Sequence, residues 1–184
     1  MRVIAGTYRG KRLNAPQDRN VRPTTDRIKE TVFNVLCNRY GIGARVLDLF
    51  CGSGALGIEA LSRGAVECVF VDRDIASVRL TRSNLIGIKE HTEVYTADYK
   101  VALSKLSQPF DLILIDPPYA DTAAYDAIAM IDEKKLLALD GVIFAEHSRE
   151  NNFINFPASF IIDTRDCGNT RISFLTYPRE CHEE

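Results

Sequence analysis

Residues 46–57, "VLDLFCGSGALG", indicate the fold class of this chain. An apolar run leads into three glycines, Gly52, Gly54 and Gly57, and a helix-forming segment follows. The spacing G-x-G-x-x-G lets a backbone approach a ligand closely at a turn between strand and helix. Asp72 ends the next predicted strand, at the position where an acid binds ribose hydroxyls. The combination predicts a site for a nucleoside-containing cofactor.

Predicted strands and helices alternate from residue 44 onward. The strands are 44–50, 67–72, 92–98, 110–116 and 142–147, and the helices are 55–64, 75–87, 99–107 and 125–141. This succession predicts a parallel sheet with helices on both faces. Residues 159–178 contain two β-rich runs around Cys167, Gly168 and Asn169, which is typical of an antiparallel hairpin. The predicted fold class is α/β, a Rossmann-like and mostly parallel sheet that ends in an antiparallel hairpin.

The first 43 residues are predicted to form an N-terminal extension to the domain at 44–184. Residues 1–16 suit a small hairpin or arm, and residues 22–40 a helix. Residues 1–45 hold ten Lys/Arg and three Asp/Glu, a balance of +7, whereas the remainder holds thirteen and twenty-two, a balance of −9. This asymmetry predicts a polyanionic partner at the N-terminal end. A basic face that is merely solvated is the alternative.

Size and composition exclude several classes of protein. With 184 residues, 46% hydrophobic and 26% charged, the chain suits an ordinary soluble domain and a monomer. The first ten residues lack the apolar core of a signal peptide, and no apolar run is long enough for a bilayer span. Five scattered cysteines without a C-x-x-C pair favour a reducing, cytoplasmic location. Three dispersed histidines predict no metal site.

Asp48 distinguishes between two kinds of cofactor. It lies four residues before Gly52, so a pyrophosphate on the loop would face its carboxylate at short range. S-adenosylmethionine presents an ammonium and a sulfonium instead. Asp72 would then bind the ribose and Asp98 the adenine amino group. Each acid alone could cap the following helix, but acids at three consecutive strand ends favour one ligand crevice.

Residues 116–119, Asp-Pro-Pro-Tyr, follow the fourth predicted strand. Pro117 favours an extended Asp116, and neither proline has an N–H. The Asp116 carboxylate and a backbone carbonyl could therefore accept both hydrogens of a conjugated NH₂ group and turn its lone pair toward a methyl donor. Tyr119 could stack on a base swung out of its helix. A simple turn after a strand is the alternative.

These motifs resemble those of the bacterial 16S ribosomal RNA guanine-2-amino methyltransferases, the RsmD family. The resemblance covers nearly the whole chain. It is carried by "MRVIAGTYRGKRL" at 1–13, "RPTTDRIKETVFN" at 22–34, "DLFCGSGALGIEALSRGA" at 48–65 and "DPPY". The two N-terminal motifs are specific to that family. The glycine loop and D-P-P-Y are shared with amino-methyltransferases that act on adenine or cytosine.

The resemblance implies a seven-stranded methyltransferase fold, S-adenosyl-L-methionine as cofactor and 16S RNA in the small ribosomal subunit as partner. The residues implied to hold the target base are Asp116, Pro117, Pro118 and Tyr119. Those implied or predicted to hold the donor are Asp48, Phe50, Gly52, Ser53, Gly54, Gly57, Asp72, Arg73, Asp98 and Tyr99. Those implied to meet RNA phosphates are Arg9, Lys11, Arg12, Arg22 and Arg27. The chain departs from the family at Cys51, often alanine, and at Asp72, more commonly glutamate.

Three other functions fit parts of the sequence. A DNA adenine or cytosine amino-methyltransferase would also use D-P-P-Y, although no large insertion supplies a DNA-reading domain. A nicotinamide-dependent oxidoreductase would explain the glycine loop, but Asp48 and the lack of room for a substrate domain oppose it. A catalytically silent RNA-binding factor would tolerate Asp116→Ala in cells.

Overall fold

The computed structural model describes residues 1–16, 26–117, 123–148, 156–167 and 170–178. The strands of these ranges are β1 (Arg45–Asp48), β2 (Glu67–Asp72), β3 (His91–Thr96), β4 (Phe110–Ile115), β5 (Leu137–Ser148), β6 (Ile161–Cys167) and β7 (Thr170–Thr176). The helices are α1 (Asp26–Val35), α2 (Ala55–Ser62), α3 (Ile75–Asn84), α4 (Tyr99–Lys105) and α5 (Ala123–Glu133). A π-helical turn, Leu36–Tyr40, extends α1. No helix within the described ranges is long and apolar enough to cross a membrane.

The seven strands form one sheet in the order β3-β2-β1-β4-β5-β7-β6. Strands β1 to β5 run parallel, and the β6–β7 hairpin joins β5 in antiparallel orientation. The predicted fold class is therefore confirmed, including the C-terminal hairpin. The chain order reverses between β1 and β4, and an open α/β sheet binds its ligands beyond the carboxyl ends of the strands at such a point.

Two hydrophobic clusters cover the two faces of the sheet. Alternate residues of β1 point to opposite faces, so Val46 belongs to one cluster and Leu47 to the other. The first cluster includes residues of the N-terminal extension, α1 and α2. The second includes residues of α4 and α5. Strands that are buried on both faces explain why the parallel segments read as continuous apolar runs.

The helix predicted over residues 125–141 is wrong in its second half. Helix α5 ends at Glu133, because Lys135 adopts a left-handed φ of 54° and the N–H of Leu136 bonds back to the carbonyl of Ile131 at 3.0 Å. Residues from Leu137 onward then join β5 and pair with β4. The segment "LLAL" has high helix propensity, and pairing with the sheet overrides it.

The N-terminal residues form a hairpin, which is anchored to α2 through Glu59. The N–H of Val3 donates to the carbonyl of Lys11 at 3.0 Å. The fully buried Glu59 carboxylate accepts from the N–H groups of Ile4 and Ala5 at 2.8 and 3.1 Å. It also pairs with buried Lys29 of α1, at 3.4 Å. Because Val3 belongs to the first core cluster, the packing is continuous across the predicted boundary after residue 43.

Candidate active site

The glycine loop between β1 and α2 leaves open space at one residue and is tightly packed at another. Gly52 has φ +54°, and a Cβ built there would meet nothing within 4 Å. A Cβ at Gly54, φ +75°, would lie 2.9 Å from the Cγ2 of Thr81. At Gly57 it would lie 2.3 Å from a ring carbon of Phe70, so α2 packs directly on β2. The first glycine thus gives access to the backbone, and the third permits close helix–sheet packing.

Asp72 links the carboxyl end of β2 to this loop. Its Oδ2 accepts from the N–H of Gly52 at 2.9 Å, and its Oδ1 accepts from the N–H of Asp74 at 2.9 Å. The side chain is half-buried. Each carboxylate oxygen has a second lone-pair site, so Asp72 can accept further bonds from ribose hydroxyls.

Asp48 braces α2 from inside the protein. Only 2% of the residue is exposed, and its Oδ2 accepts from the N–H of Gly57 at 2.9 Å. Burial raises the pKa of the Asp48 carboxyl to about 7, with a smaller contribution from the charge of Asp72. A pyrophosphate on the loop would therefore face a buried carboxyl and not an open carboxylate, so Asp48 opposes it less strongly than the sequence predicts. Asp48 controls the shape of the loop.

Asp98 follows β3 and caps α4. Its Oδ1 accepts from the N–H of Lys100 at 2.9 Å, the helix-capping role that was the alternative for this acid. The side chain stays half-buried. Since the N–H of Ala97 bonds to the carbonyl of Asp72 at 2.9 Å, the two acids lie along the same edge of the sheet.

The other predicted donor residues have three kinds of surroundings. Phe50 and Tyr99 are half-buried, with ring centroids 5.4 Å apart, and follow the carboxyl ends of β1 and β3. Arg73 is exposed. Ser53 is buried, and its hydroxyl lies 4.0 Å from the sulfur of Met1 in the hairpin.

Asp116 emerges beside the glycine loop. Asp48 of β1 is in register with Leu114 of β4, and the N–H of Leu49 bonds to the carbonyl of Leu114 at 3.0 Å. Asp116, two residues beyond Leu114, therefore follows β4 at the level of Phe50. Asp116 and Pro117 are half-buried, while predicted residues Pro118 and Tyr119 lie outside the described residues.

Two α3 residues that the sequence analysis did not single out hold the glycine loop. The buried Thr81 hydroxyl donates to the carbonyl of Gly52 at 2.9 Å. The buried Asn84 amide donates to the carbonyl of Ser53 at 2.9 Å. The two residues are three apart and so share one face of α3. Polar residues are common on helix faces, so neither gave a sequence signal.

The predicted RNA-contacting residues differ in their surroundings. Arg9 and Arg12 are exposed on the hairpin. Lys11 is half-buried, and its ammonium donates to the carbonyl of Ile86 at 2.6 Å, so this lysine also fastens the hairpin to the turn after α3. Arg22 and the side chain of Arg27 lie outside the described part of the chain.

Two further features lie apart from this site. A groove of about 490 Å³ lies at the amino edge of the sheet and contains none of the predicted site residues; its lining is Arg39, Tyr40, Leu139, Asp140, Gly141, Ile161, Thr176 and Tyr177. Among the described residues, no group of three or more His, Cys, Asp or Glu could hold a metal ion.

The loop geometry fits an adenosyl donor, with an accessible backbone at Gly52 and an acid at the end of β2. Together, the seven-stranded sheet and this site define a Rossmann-like methyltransferase dependent on S-adenosylmethionine.

Comparison with known proteins gives the family. Residues 1–176 match the family model described as "Conserved hypothetical protein 95". The chain is 31% identical to "Ribosomal RNA small subunit methyltransferase D" of Escherichia coli (strain K12) over 185 residues, covering 100% of this chain and 92% of that protein. It is 45% identical to YlbH of Bacillus subtilis (strain 168) over 155 residues, covering 82% and 84%. The solved structure of Escherichia coli yhhF superimposes with a TM-score of 0.84 at 31% identity, covering 96% and 97%. The chain belongs to this family, the RsmD family of ribosomal RNA methyltransferases.

Proposed function

We propose that this protein transfers a methyl group from S-adenosylmethionine to the exocyclic 2-amino group of a guanine in 16S RNA of the small ribosomal subunit. The observation that carries the proposal is the parallel pairing of β1 with β4, which brings Asp116 alongside the glycine loop. The small-subunit RNA methyltransferase name of the Escherichia coli relative, whose match spans the whole chain, supports this substrate.

The donor site is assigned to the glycine loop and the strand ends around it. Gly52 offers its backbone, Asp72 accepts from ribose hydroxyls, and Asp98 accepts from the adenine amino group. Phe50 and Tyr99 flank the ligand. The remaining assigned donor residues are Ser53, Gly54, Gly57 and Arg73, together with Asp48, whose assigned part is indirect because it holds the loop from inside. Bound there, S-adenosylmethionine supplies an electrophilic methyl group on its sulfonium.

The target base is assigned to Asp116, Pro117, Pro118 and Tyr119. The Asp116 carboxylate and a backbone carbonyl of the proline segment accept the two amine hydrogens, which favours a pyramidal nitrogen with its lone pair toward the methyl carbon. A nitrogen–carbon bond forms as the sulfur–carbon bond breaks. One proton then leaves the nitrogen, and Asp116, which already accepts that hydrogen, is the assigned base. Tyr119 is assigned to stack on the guanine.

RNA binding is assigned to the hairpin and the start of α1, through Arg9, Lys11, Arg12, Arg22 and Arg27. The exposure of Arg9 and Arg12 supports their part in it. Lys89 is also exposed, and its backbone N–H donates to the Tyr8 hydroxyl of the hairpin at 3.0 Å, so it extends the same basic surface.

The proposal is tested by offering tritiated S-adenosylmethionine to small subunits and naked 16S RNA, both from cells lacking this enzyme, and to duplex DNA. We expect label in the RNA of small subunits and none in DNA. Label in DNA alone would instead support the adenine or cytosine amino-methyltransferase alternative.

A further inference from the structure

The last turn of α3 joins the N-terminal hairpin to the glycine loop through one side chain. The amide nitrogen of Asn84 donates to the carbonyl of Ser53 at 2.9 Å and to the carbonyl of Asn14 at 3.1 Å. The amide oxygen of Asn84 accepts from the N–H of Asn14 at 2.8 Å. Because all three bonds involve one planar group that is only 3% exposed, the loop and the hairpin cannot shift separately without breaking one of them.

Contacts of neighbouring residues reinforce this junction. The hydroxyl of Ser53 lies 4.0 Å from the sulfur of Met1, and the carbonyl of Met1 accepts from the N–H of Leu13 in the hairpin at 3.1 Å. Lys11 donates to the carbonyl of Ile86 just after α3. The hairpin is therefore held against α3 at several points, but Asn84 hydrogen-bonds the donor loop and the hairpin together.

Thr81 lies on the same face of α3 as Asn84, but its hydrogen-bond partners belong to the glycine loop alone. Its hydroxyl donates to the carbonyl of Gly52 at 2.9 Å and lies 3.5 Å from the sulfur of Cys51. Both partners belong to the glycine loop. A change at Thr81 should therefore disturb the loop alone, whereas a change at Asn84 should disturb the loop and its link to the hairpin.

We propose that Asn84 is a positioning residue that couples the methyl-donor site to the N-terminal hairpin. This inference rests on the proposed assignment of the glycine loop to the donor. When a donor ligand fixes the loop, the carbonyl of Ser53 holds the Asn84 amide, and the amide holds the backbone of Asn14. The hairpin that carries Arg9 and Arg12 is then ordered for RNA. Coupling between binding sites is reciprocal. Bound RNA therefore raises the affinity for the donor by the same factor by which bound donor raises the affinity for RNA.

The test is hydrogen–deuterium exchange of the hairpin amides, residues 1–16, with and without saturating S-adenosylhomocysteine. In the wild-type chain we expect the ligand to slow this exchange by about fivefold or more. In Asn84→Asp an oxygen of the same size replaces the donating nitrogen, so both donated bonds are lost without leaving a cavity. In that variant we expect the ligand to leave hairpin exchange unchanged. In Thr81→Val we expect wild-type protection once the ligand saturates.

Ser83→Ala is the matched control, because the Ser83 hydroxyl lies 3.4 Å from the Asn14 side chain and contacts the hairpin without reaching the loop. It should keep the ligand-dependent protection. A merely structural Asn84 would lower the melting temperature of the unliganded Asn84→Asp variant but leave ligand-dependent protection intact, and that result would overturn the coupling. If Asn84→Asp does not fold, Asn84→Ala replaces it with the same expectation.

Calorimetry with S-adenosylhomocysteine separates two kinds of failure. Wild-type binding without hairpin protection would overturn the coupling alone and leave the proposed function standing. No wild-type binding would overturn the donor-site assignment and the coupling together.

Discussion

Strand β4 carries one aspartate near each end, and the two have different surroundings. Near its amino end, Asp111 uses one carboxylate oxygen to accept from the N–H groups of Ala44 and Arg45, both at 2.8 Å. Just beyond its carboxyl end, Asp116 precedes Pro117, which has no N–H to offer. The same residue type thus fastens backbone groups at the amino end of the strand, whereas at the carboxyl end it is the residue that we assign to the target base.

Glycines mark the same difference between the two edges. A Cβ at Gly43 would lie 2.1 Å from the Cβ of Asp111, so the amino end of β1 is closed by its neighbours. A Cβ at Gly52, beyond the carboxyl end of β1, would meet no atom within 4 Å. Asp111 lies at the closed edge and stabilises the fold, whereas Asp116, at the edge with the open glycine, is the acid that we assign to the chemistry.

Asp116→Ala should give the largest effect. Because Asp116 is assigned to hold and deprotonate the amine and has no assigned contact with the donor, turnover should fall about 10³-fold. Affinity for S-adenosylhomocysteine should change less than threefold. Steady-state methylation of small subunits and calorimetry measure the two quantities.

Asp116→Asn is the matched variant, because it keeps one acceptor oxygen and loses the charge. We expect it to retain more turnover than Asp116→Ala. A loss of donor affinity as large as the loss of turnover would place Asp116 in the donor site and contradict its assignment to the target base.

Asp48→Asn tests whether every acid at the carboxyl edge is open to ligand. Since burial raises the folded-state pKa of Asp48 to about 7, the wild-type protein should lose stability between pH 4 and pH 7, as the carboxyl ionises in the unfolded chain alone. Below pH 4 both states are protonated and this loss vanishes. The stability advantage of Asp48→Asn, which is its unfolding free energy minus that of the wild type, should therefore grow over this pH range by at most about 4 kcal/mol. Above pH 7 it should level off.

Urea unfolding at a series of pH values from 4 to 8 measures that advantage. A difference between the two proteins that does not vary with pH would mean that Asp48 is solvated and faces the crevice.

Asp111→Ala should lower stability and leave turnover nearly unchanged, whereas Asp116→Ala should mainly lower turnover. Removal of an acceptor shared by two backbone N–H groups should cost about 2 kcal/mol of unfolding free energy, measured by urea denaturation. Turnover well below the melting temperature should stay within twofold of wild type, because Asp111 lies at the opposite edge of the sheet. Asp111→Asn, which keeps an acceptor, should recover part of the stability.

The sequence predicts the mostly parallel sheet, the C-terminal hairpin and the acids at the strand ends because apolar runs, glycine spacing and strand-end acids are local signals. It does not predict the end of α5, since Lys135 takes a left-handed conformation that glycine usually signals. The buried Lys29–Glu59 pair has a weak signal, a charge on an apolar helix stripe. Thr81 and Asn84 have none, because their partners are distant backbone carbonyls that only the folded chain brings together.

The smallest effect is expected at the hairpin. Arg9→Ala combined with Arg12→Ala should weaken RNA binding about tenfold and reduce the slope of log affinity against log salt by about one per lost phosphate contact. Filter binding at several salt concentrations measures this slope. Lys105→Ala with Lys134→Ala, at the end of α4 and just after α5 on the opposite face of the sheet, is the charge-matched control and should leave the slope unchanged. Equal slopes for both double variants would mean that the hairpin arginines are merely solvated.

The decisive measurement is the position of the transferred methyl group on the RNA, because acceptors that hold amine hydrogens can activate only an exocyclic nitrogen. Small subunits lacking the modification are treated with enzyme and donor, and the digested RNA is compared with authentic methylated nucleosides by chromatography and mass spectrometry. We expect 2-methylguanosine in 16S RNA with the wild-type enzyme and almost none with Asp116→Ala. Methyl on a ring nitrogen, on adenine, or at wild-type levels with Asp116→Ala would show that Asp116 does not activate a guanine amine.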